Sequence, residues 1–283
     1  MATLRKIRQK IKSTKSIEKT TKAMETISSV KFQKAQLELN ATKPYQHKIQ
    51  QLLFDTLKRT TGSHKLFEDN TSNKEGLLII TSEKGLCGSY NTNIIKKAMD
   101  YIISHRDKDI KVLAIGKKGR DYLKRNWINI TSEYFNIFKK FSSVQSDVIS
   151  EEIVKLFLSE KLSKFNVIYS KYESLFSQPV VIKQILPIEK VKVDDLKFDY
   201  IYEPSKEILI EELLNRYFKS NIFHLLIESY TSEIAARRNA MQNATKNASE
   251  LIDDLTLHLN KLRQQQITKE LIEIVGSIEA GRV

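Results

Sequence analysis

Residues 205–275 read SKEILIEELLNRYFKSNIFHLLIESYTSEIAARRNAMQNATKNASELIDDLTLHLNKLRQQQITKELIEIV, 71 positions without a glycine or a proline. Glycine and proline are the strongest local punctuation, because one frees the backbone and the other removes a donor and fixes φ. Their absence over this stretch predicts one helix, roughly 105 Å long at about 1.5 Å per residue. That length points to a rod or a coiled coil. Ser205 follows Pro204 and can cap the first turn. Ala248, Ile252, Leu255, Leu259 and Leu262 follow the rhythm of a heptad seam. Ala236, Ala240, Ala244 and Ala248 form a stripe of small side chains that lets another helix approach. Ile267, Leu271, Ile274 and Ile278 predict a second seam towards the end.

The other end of the chain reads alike. Residues 1–43 contain neither glycine nor proline, and Leu4, Ile7, Ile11, Ile17, Met24, Ile27 and Val30 predict one apolar helical face. The seam is thin, with Thr14, Thr21 and Ser28 beside it, and Pro44 is expected to bend or interrupt the helix. Between the ends the punctuation returns: six of the eight glycines lie from Gly62 to Gly119. Strands are expected at Gly76–Ser82, Ile110–Gly116, Ile128–Ile137, Phe165–Lys171 and Val180–Pro187. Helices are expected at Asn93–Ser104, Lys117–Asn126 and Val144–Lys161. This alternation favours an open, largely parallel sheet in a small α/β domain. The expected divisions are a helix over residues 1–60, an α/β domain over 70–203 and a helix over 205–283.

Composition narrows the function classes. The chain has 283 residues, 41% of them hydrophobic, enough for one or two folded domains and too many for a disordered chain. The longest apolar runs, Leu77–Ile80 and Val112–Ile115, are far shorter than a membrane span needs. No signal-peptide core is visible near the start, so secretion is not expected. Cys87 is the one cysteine, which excludes a disulfide framework and a cysteine-based zinc site. His47, His64, His105, His224 and His258 have no metal-ligand spacing, so no metal is expected.

Charge is uneven. Residues 1–48 hold 12 Lys and Arg against 3 acids, whereas residues 206–283 hold 10 against 11. A solvated helix face is the commoner meaning of such a segment. Nucleic acid, an anionic membrane surface or an acidic protein would also suit it. Only Phe32 is aromatic within residues 1–40, so no stacking platform exists for single strands, although duplex phosphates would need none. The narrow apolar face argues against an interfacial membrane helix.

A search for catalytic motifs finds none. The phosphate-binding G-x-x-x-x-G-K-[ST] and the dinucleotide G-x-G-x-x-G are absent, as are H-E-x-x-H and G-x-S-x-G. The loop Glu83–Ser89 lies between a strand and a helix, where an α/β protein binds its ligand. It could be an anion cradle or hold a Cys87 nucleophile. The structural alternative, a tight turn around a buried thiol, is favoured because no histidine lies near it in sequence. The adjacent acids Asp253–Asp254 and Glu211–Glu212 point apart on a helix and read as surface charges.

Several segments resemble the gamma subunit of F-type ATP synthase. They are Thr21-Lys22-Ala23-Met24-Glu25, Gly85–Asn91, Asp199–Pro204, Ser232–Arg237 through Met241, and Ala244-Thr245. The closest likeness is Asn260–Gln264, followed by Ile267–Leu271 and Glu273–Val275. They run in the family's order, while residues 120–195 carry no matching motif. Ser89 replaces a glycine, Thr20 an apolar residue, Arg238 a methionine and Lys269 a glutamine of the family's pattern.

The resemblance implies a long antiparallel coiled coil of the two terminal helices with an inserted Rossmann-like α/β domain. It implies a central rotor shaft, one copy inside a hexamer of alternating alpha and beta subunits. The α/β foot would rest with the epsilon (delta) subunit on the membrane c ring, and the chain would regulate ATPase activity and proton flow. No catalytic residue, cofactor or nucleic acid is implied. The basic amino-terminal helix would face acidic loops of the beta subunits. Rotor–stator contacts would fall to Met24, Arg237, Arg263, Gln264, Thr268 and Glu270, with Ile274, Val275 and Ile278 in an apolar bearing. Tyr200, Tyr202 and Glu203 would lie in the foot beside the c ring. The protein would be peripheral, on the cytoplasmic face of a bacterial membrane or the matrix or stromal face of an organelle. The alternatives are a basic coiled-coil protein that binds nucleic acid, or the shaft of an F-type motor with another task.

Overall fold

The computed structural model describes residues 2–58, 64–68, 70–139, 143–188, 203 and 205–280. They fall into two compact units. Residues up to Ser28 and those from Arg238 onward form the first, and Ser29–Arg237 the second. The division falls inside both terminal helices, α1 (Ala2–Lys58) and α5 (Lys206–Ala280).

The second unit is built on a five-stranded sheet, with β1 (Lys74–Ile80), β2 (Asp109–Ile115), β3 (Ile130–Tyr134), β4 (Lys164–Ser170) and β5 (Val180–Leu186) in the order β3-β2-β1-β4-β5. β1 pairs in parallel with β2 and β4, and β2 with β3, while β5 runs antiparallel to β4. Between them come α2 (Tyr90–Ser104), α3 (Lys117–Arg125) and α4 (Ser143–Ser159). The third strand is shorter than the expected 128–137, and Ile137 opens a 3-10 turn instead. The apolar run of β1 divides by the period of a strand. Leu77 and Ile79 face a core with Ile94, Ala98 and Leu123 from α2 and α3. Leu78 and Ile80 face Ile149, Ile153 and Phe157 of α4 and, beside it, Leu53 of α1 and Leu214 and Phe218 of α5. A strand buried on both faces needs a continuous apolar run, which is what β1 has. The long helices thus complete the second covering layer. They run antiparallel here, since Thr42 Oγ1 meets His224 Nδ1 at 3.0 Å and Gln46 donates to Asn221 at 3.3 Å.

Helix α1 passes through Pro44 without interruption. Pro44 and Asn40, whose carbonyl loses its partner, are both on the exposed side, where solvent can satisfy that carbonyl. Ser205 caps α5: its hydroxyl accepts from the Ile208 N–H at 3.4 Å.

In the first unit, the amino-terminal face differs from the expectation. Leu4, Ile7 and Ile11 are half-buried, but the line continues through Thr14 and Ser28, both buried, with Thr21 between them. Ile17 and Ile27 are 55% and 57% exposed and Met24 38%. The spacing explains this. Positions 4, 7, 11, 14, 21 and 28 fit one heptad seam, and 17, 24 and 27 lie off it. The seam therefore buries hydroxyls, satisfied locally by the Thr14 bond to the Lys10 carbonyl at 2.9 Å and across the pair by Thr245 donating to Thr21 at 2.9 Å. On α5, Ala248 and Ile252 are buried and Leu255, Leu259 and Leu262 half-buried, as the heptad predicts. The seam expected further on is not buried, since Ile267, Leu271 and Ile274 are exposed. Ile278 and Val275 have side chains outside the described set.

Candidate functional site

In an open parallel sheet the ligand crevice lies at the carboxyl ends of the strands, where the strand order reverses. Here that point is between β1 and β4, since the chain builds outward to β3 and returns through α4 to pair β4 with β1. The loop after β1, Thr81–Ser89, and the loop after β4, from Lys171 to Pro179, frame it.

The crevice is filled by α5. Tyr90 at the start of α2 meets Ser229, its hydroxyl 2.9 Å from Oγ and 3.2 Å from the carbonyl oxygen. Tyr169 at the end of β4 donates to Glu228 at 2.8 Å. Ile234 and Ala235 are buried with Phe32 of α1, and Tyr172 and Leu175 of the second loop pack on them. Arg237 closes the top. It makes an ion pair with Glu233 one turn back and donates to the carbonyls of Lys84 at 3.1 Å and Gly85 at 3.4 Å.

The loop after β1 is shaped for that guanidinium. Leu86 and Gly88 have φ of 65° and 58°, a left-handed pair that turns the chain within a few residues. Asn91 holds the loop from below, accepting from the Ser82 N–H at 3.0 Å and donating to Cys87 Sγ at 3.0 Å. An anion cradle would turn N–H groups to the crevice. This loop turns carbonyls there and meets a cation. Cys87 is buried, and that burial pushes its thiol pKa up, opposite to what a nucleophile needs. Burial also raises the Glu233 carboxyl above the usual range, against the lowering pull of Arg237. Among the described residues no group of histidine, cysteine and acids is placed to hold a metal.

The remaining expected site residues are dispersed. Met24 lies on the outward side of α1 in the first unit. Arg263, Gln264, Thr268 and Glu270 are exposed along α5. Gln264 and Thr268 line a shallow groove with Lys261 and Ile272, while Glu270 accepts from Gln266 at 3.0 Å. Glu203 is exposed; Tyr200 and Tyr202 lie outside the described residues. Arg237 points into the second unit, not outward like Met24. Tyr169, Glu228 and Ser229 were not singled out by sequence, because no local pattern marks which helix residues meet a strand end far away in the chain.

Such a molecule is an α/β body carried on two long helices, its switch-point crevice taken by its own carboxyl-terminal helix. A family model described as ATP synthase matches residues 3–280. The chain is 37% identical over 287 residues to the ATP synthase gamma chain of Halothermothrix orenii, covering 99% of each. It is 40% identical over 286 residues to that of Christiangramia forsetii, again with 99% of each covered. The fold is also similar to that of a chain in the central stalk and c ring structure of the Tetrahymena thermophila mitochondrial ATP synthase, with TM-score 0.62 and 23% identity over 80% of this chain and 99% of that one. A chain of the Euglena gracilis mitochondrial ATP synthase in rotational state 3 gives TM-score 0.69 at 19% identity, covering 99% of this chain and 94% of that one. The chain belongs to the ATP synthase gamma-chain family.

Proposed function

We propose that this chain is the central rotor shaft of a proton-translocating F-type ATP synthase, one copy within three alpha and three beta subunits. It carries torque between the membrane c ring and the catalytic hexamer and performs no chemistry itself. The observation that carries this reading beyond family membership is the inverted amino-terminal helix. Hydroxyls of Thr14, Thr21 and Ser28 take the inner seam, while Ile17, Met24 and Ile27 face outward. A lone soluble helix pair gains by burying its apolar side chains, so an outward stripe signals further partners. Lys6 and Lys10, about three and two turns before Ile17 on the same helical face, are exposed in line with it, which suits acidic loops on the surrounding beta subunits. Met24 on α1 and Arg263, Gln264, Thr268 and Glu270 on α5 are the proposed rotor–stator contacts.

Tyr200, Tyr202 and Glu203, with the epsilon subunit, are the proposed contacts to the c ring. No helix among the described residues is long and apolar enough to cross a membrane. With the c ring as its partner, the proposed location is peripheral, on the cytoplasmic face of a bacterial membrane or the matrix or stromal face of an organelle membrane. The test is native purification on a tag at the amino terminus, with quantitative identification of the co-purifying chains. Alpha and beta subunits at three copies each per copy of this chain are expected. Recovery of nucleic acid, or of the chain alone, overturns the reading.

A further inference from the structure

The crevice contacts have a mechanical consequence. A helix lying on a sheet through apolar contacts alone can roll or slide, because such contacts are non-directional. Directional bonds resist that motion. In the second unit α5 is held by such bonds at two levels about two turns apart, Glu228 to Tyr169 and Ser229 to Tyr90 at one, and Arg237 to the Lys84 and Gly85 carbonyls at the other. Arg237 is the last residue of α5 within this unit, and Arg238 opens the other. It is also the only one of these ties in which a guanidinium spans two partners, Nη1 meeting the Glu233 carboxylate and Nη2 both loop carbonyls, a charge-assisted and orientation-selective arrangement. Its partner Glu233 is 5% exposed, which anchors one side of the guanidinium in the interior, while the bond to the Lys84 carbonyl lies at the surface. The loop that receives it is braced from behind by Asn91 through Ser82 and Cys87, and so does not yield easily.

We infer that Arg237, positioned by Glu233, is a torsional tie that locks helix α5 to the Lys84–Gly88 loop, so that rotation of the α/β body is passed into α5 without slip. This rests on the rotor reading and assigns Arg237 a role inside the shaft, not at its surface. It is a positioning residue, and its effect is read as stiffness.

The test uses the full chain assembled with its alpha and beta subunits on a surface, with a bead on the α/β body. The attachment is Trp127→Cys, at a side chain 95% exposed, and the buried Cys87 does not compete for the label. At limiting ATP the bead's angular variance is measured while the motor waits. Glu233→Gln with Arg237→Met removes both charges together and leaves no buried ion unpaired. Loss of these charge-assisted bonds is expected to widen the variance about twofold. Arg237→Lys, which keeps the charge but has one flexible nitrogen in place of the planar guanidinium that meets Glu233 and the loop carbonyls from two, should fall between, and it serves alone should the double variant not assemble. Phe157→Leu, in the core between α4 and the sheet, is the control for general loss of stability. Unchanged variance in the Arg237 variants overturns the inference, and so does an equal rise in the control. Failure of the unmodified chain to enter a rotating hexamer overturns the rotor reading itself, which the first control run shows separately.

Discussion

Cys87 lies under the loop after β1, with its sulfur 3.0 Å from the Asn91 amide nitrogen and 3.8 Å from Ser82 Oγ. Its replacement by alanine should cost about 1 kcal/mol, the scale of a small buried void, and leave coupled activity near normal. Thermal unfolding measures the first, and slow labelling by a maleimide in the native chain checks that burial has silenced the thiol. Gly116 is less tolerant. It has φ of 88°, and a Cβ there would overlap the Thr81 carbonyl. Gly116→Ala should therefore destabilise by roughly 2–4 kcal/mol through strain and overpacking together, read as a fall in Tm. His224 sets a pH dependence. Burial, then Lys183 and Lys43, lowers its pKa from 6.5 to about 4, so the folded chain holds it neutral while the unfolded chain protonates it. Its contribution is present in full above pH 6.5 and is lost as pH falls towards 4. The neighbouring Glu228 works the other way, since burial raises its pKa and acid favours its folded form. His224→Gln should flatten the slope of Tm between those limits, and an unchanged slope would assign the acid response elsewhere.

Among the elements, α1 keeps a proline in its interior at a net cost. Pro44→Ala restores the bond to the Asn40 carbonyl and removes the ring clash. The expected gain is about 1–3 kcal/mol, less than the full interior penalty because the site is exposed. An unaltered Tm would mean that the helix near Pro44 is held by packing of Thr42, Gln46 and Ile49 alone. The polar seam of the first unit is a second such choice. Thr14 and Ser28 occupy places where leucine would bury more apolar area. Small residues there permit close approach of α5, which Thr245 exploits in reaching Thr21.

At the scale of the molecule, the rotor reading makes Met24 informative. Met24→Lys places a cation on the outward face, where it can reach acidic loops of a surrounding subunit. A charge-assisted hydrogen bond in a partly buried place contributes about 1.5–3 kcal/mol, enough to favour one angular position over the others. Chemistry resides on other chains, so hydrolysis should persist while ATP-driven proton uptake per ATP falls. Reconstituted vesicles give both rates, and equal loss of the two would reduce Met24 to a packing residue. Arg237→Cys is expected to weaken the internal tie and relieve part of that defect by softening the shaft.

The sequence by itself determined the elements. Long runs without glycine or proline dictated α1 and α5, and the alternation of short apolar runs with helices dictated the α/β body, because these are local effects of backbone freedom and side-chain period. The carboxyl-terminal seam from Ala248 to Leu262 was legible for the same reason. Facing was less so at the amino end, where heptad places held hydroxyls and the more apolar Ile17, Met24 and Ile27 lay off the seam. Apolar periodicity locates a buried face only when the buried residues are the apolar ones. What only the tertiary structure decided is the use of the switch-point crevice. Tyr90 lies on α2, Tyr169 on β4 and Glu228 and Arg237 on α5, three elements far apart in the chain, and no local pattern brings them together. The strand order places the crevice, α5 crosses it, and the bonds then form between groups that burial leaves no other way to satisfy.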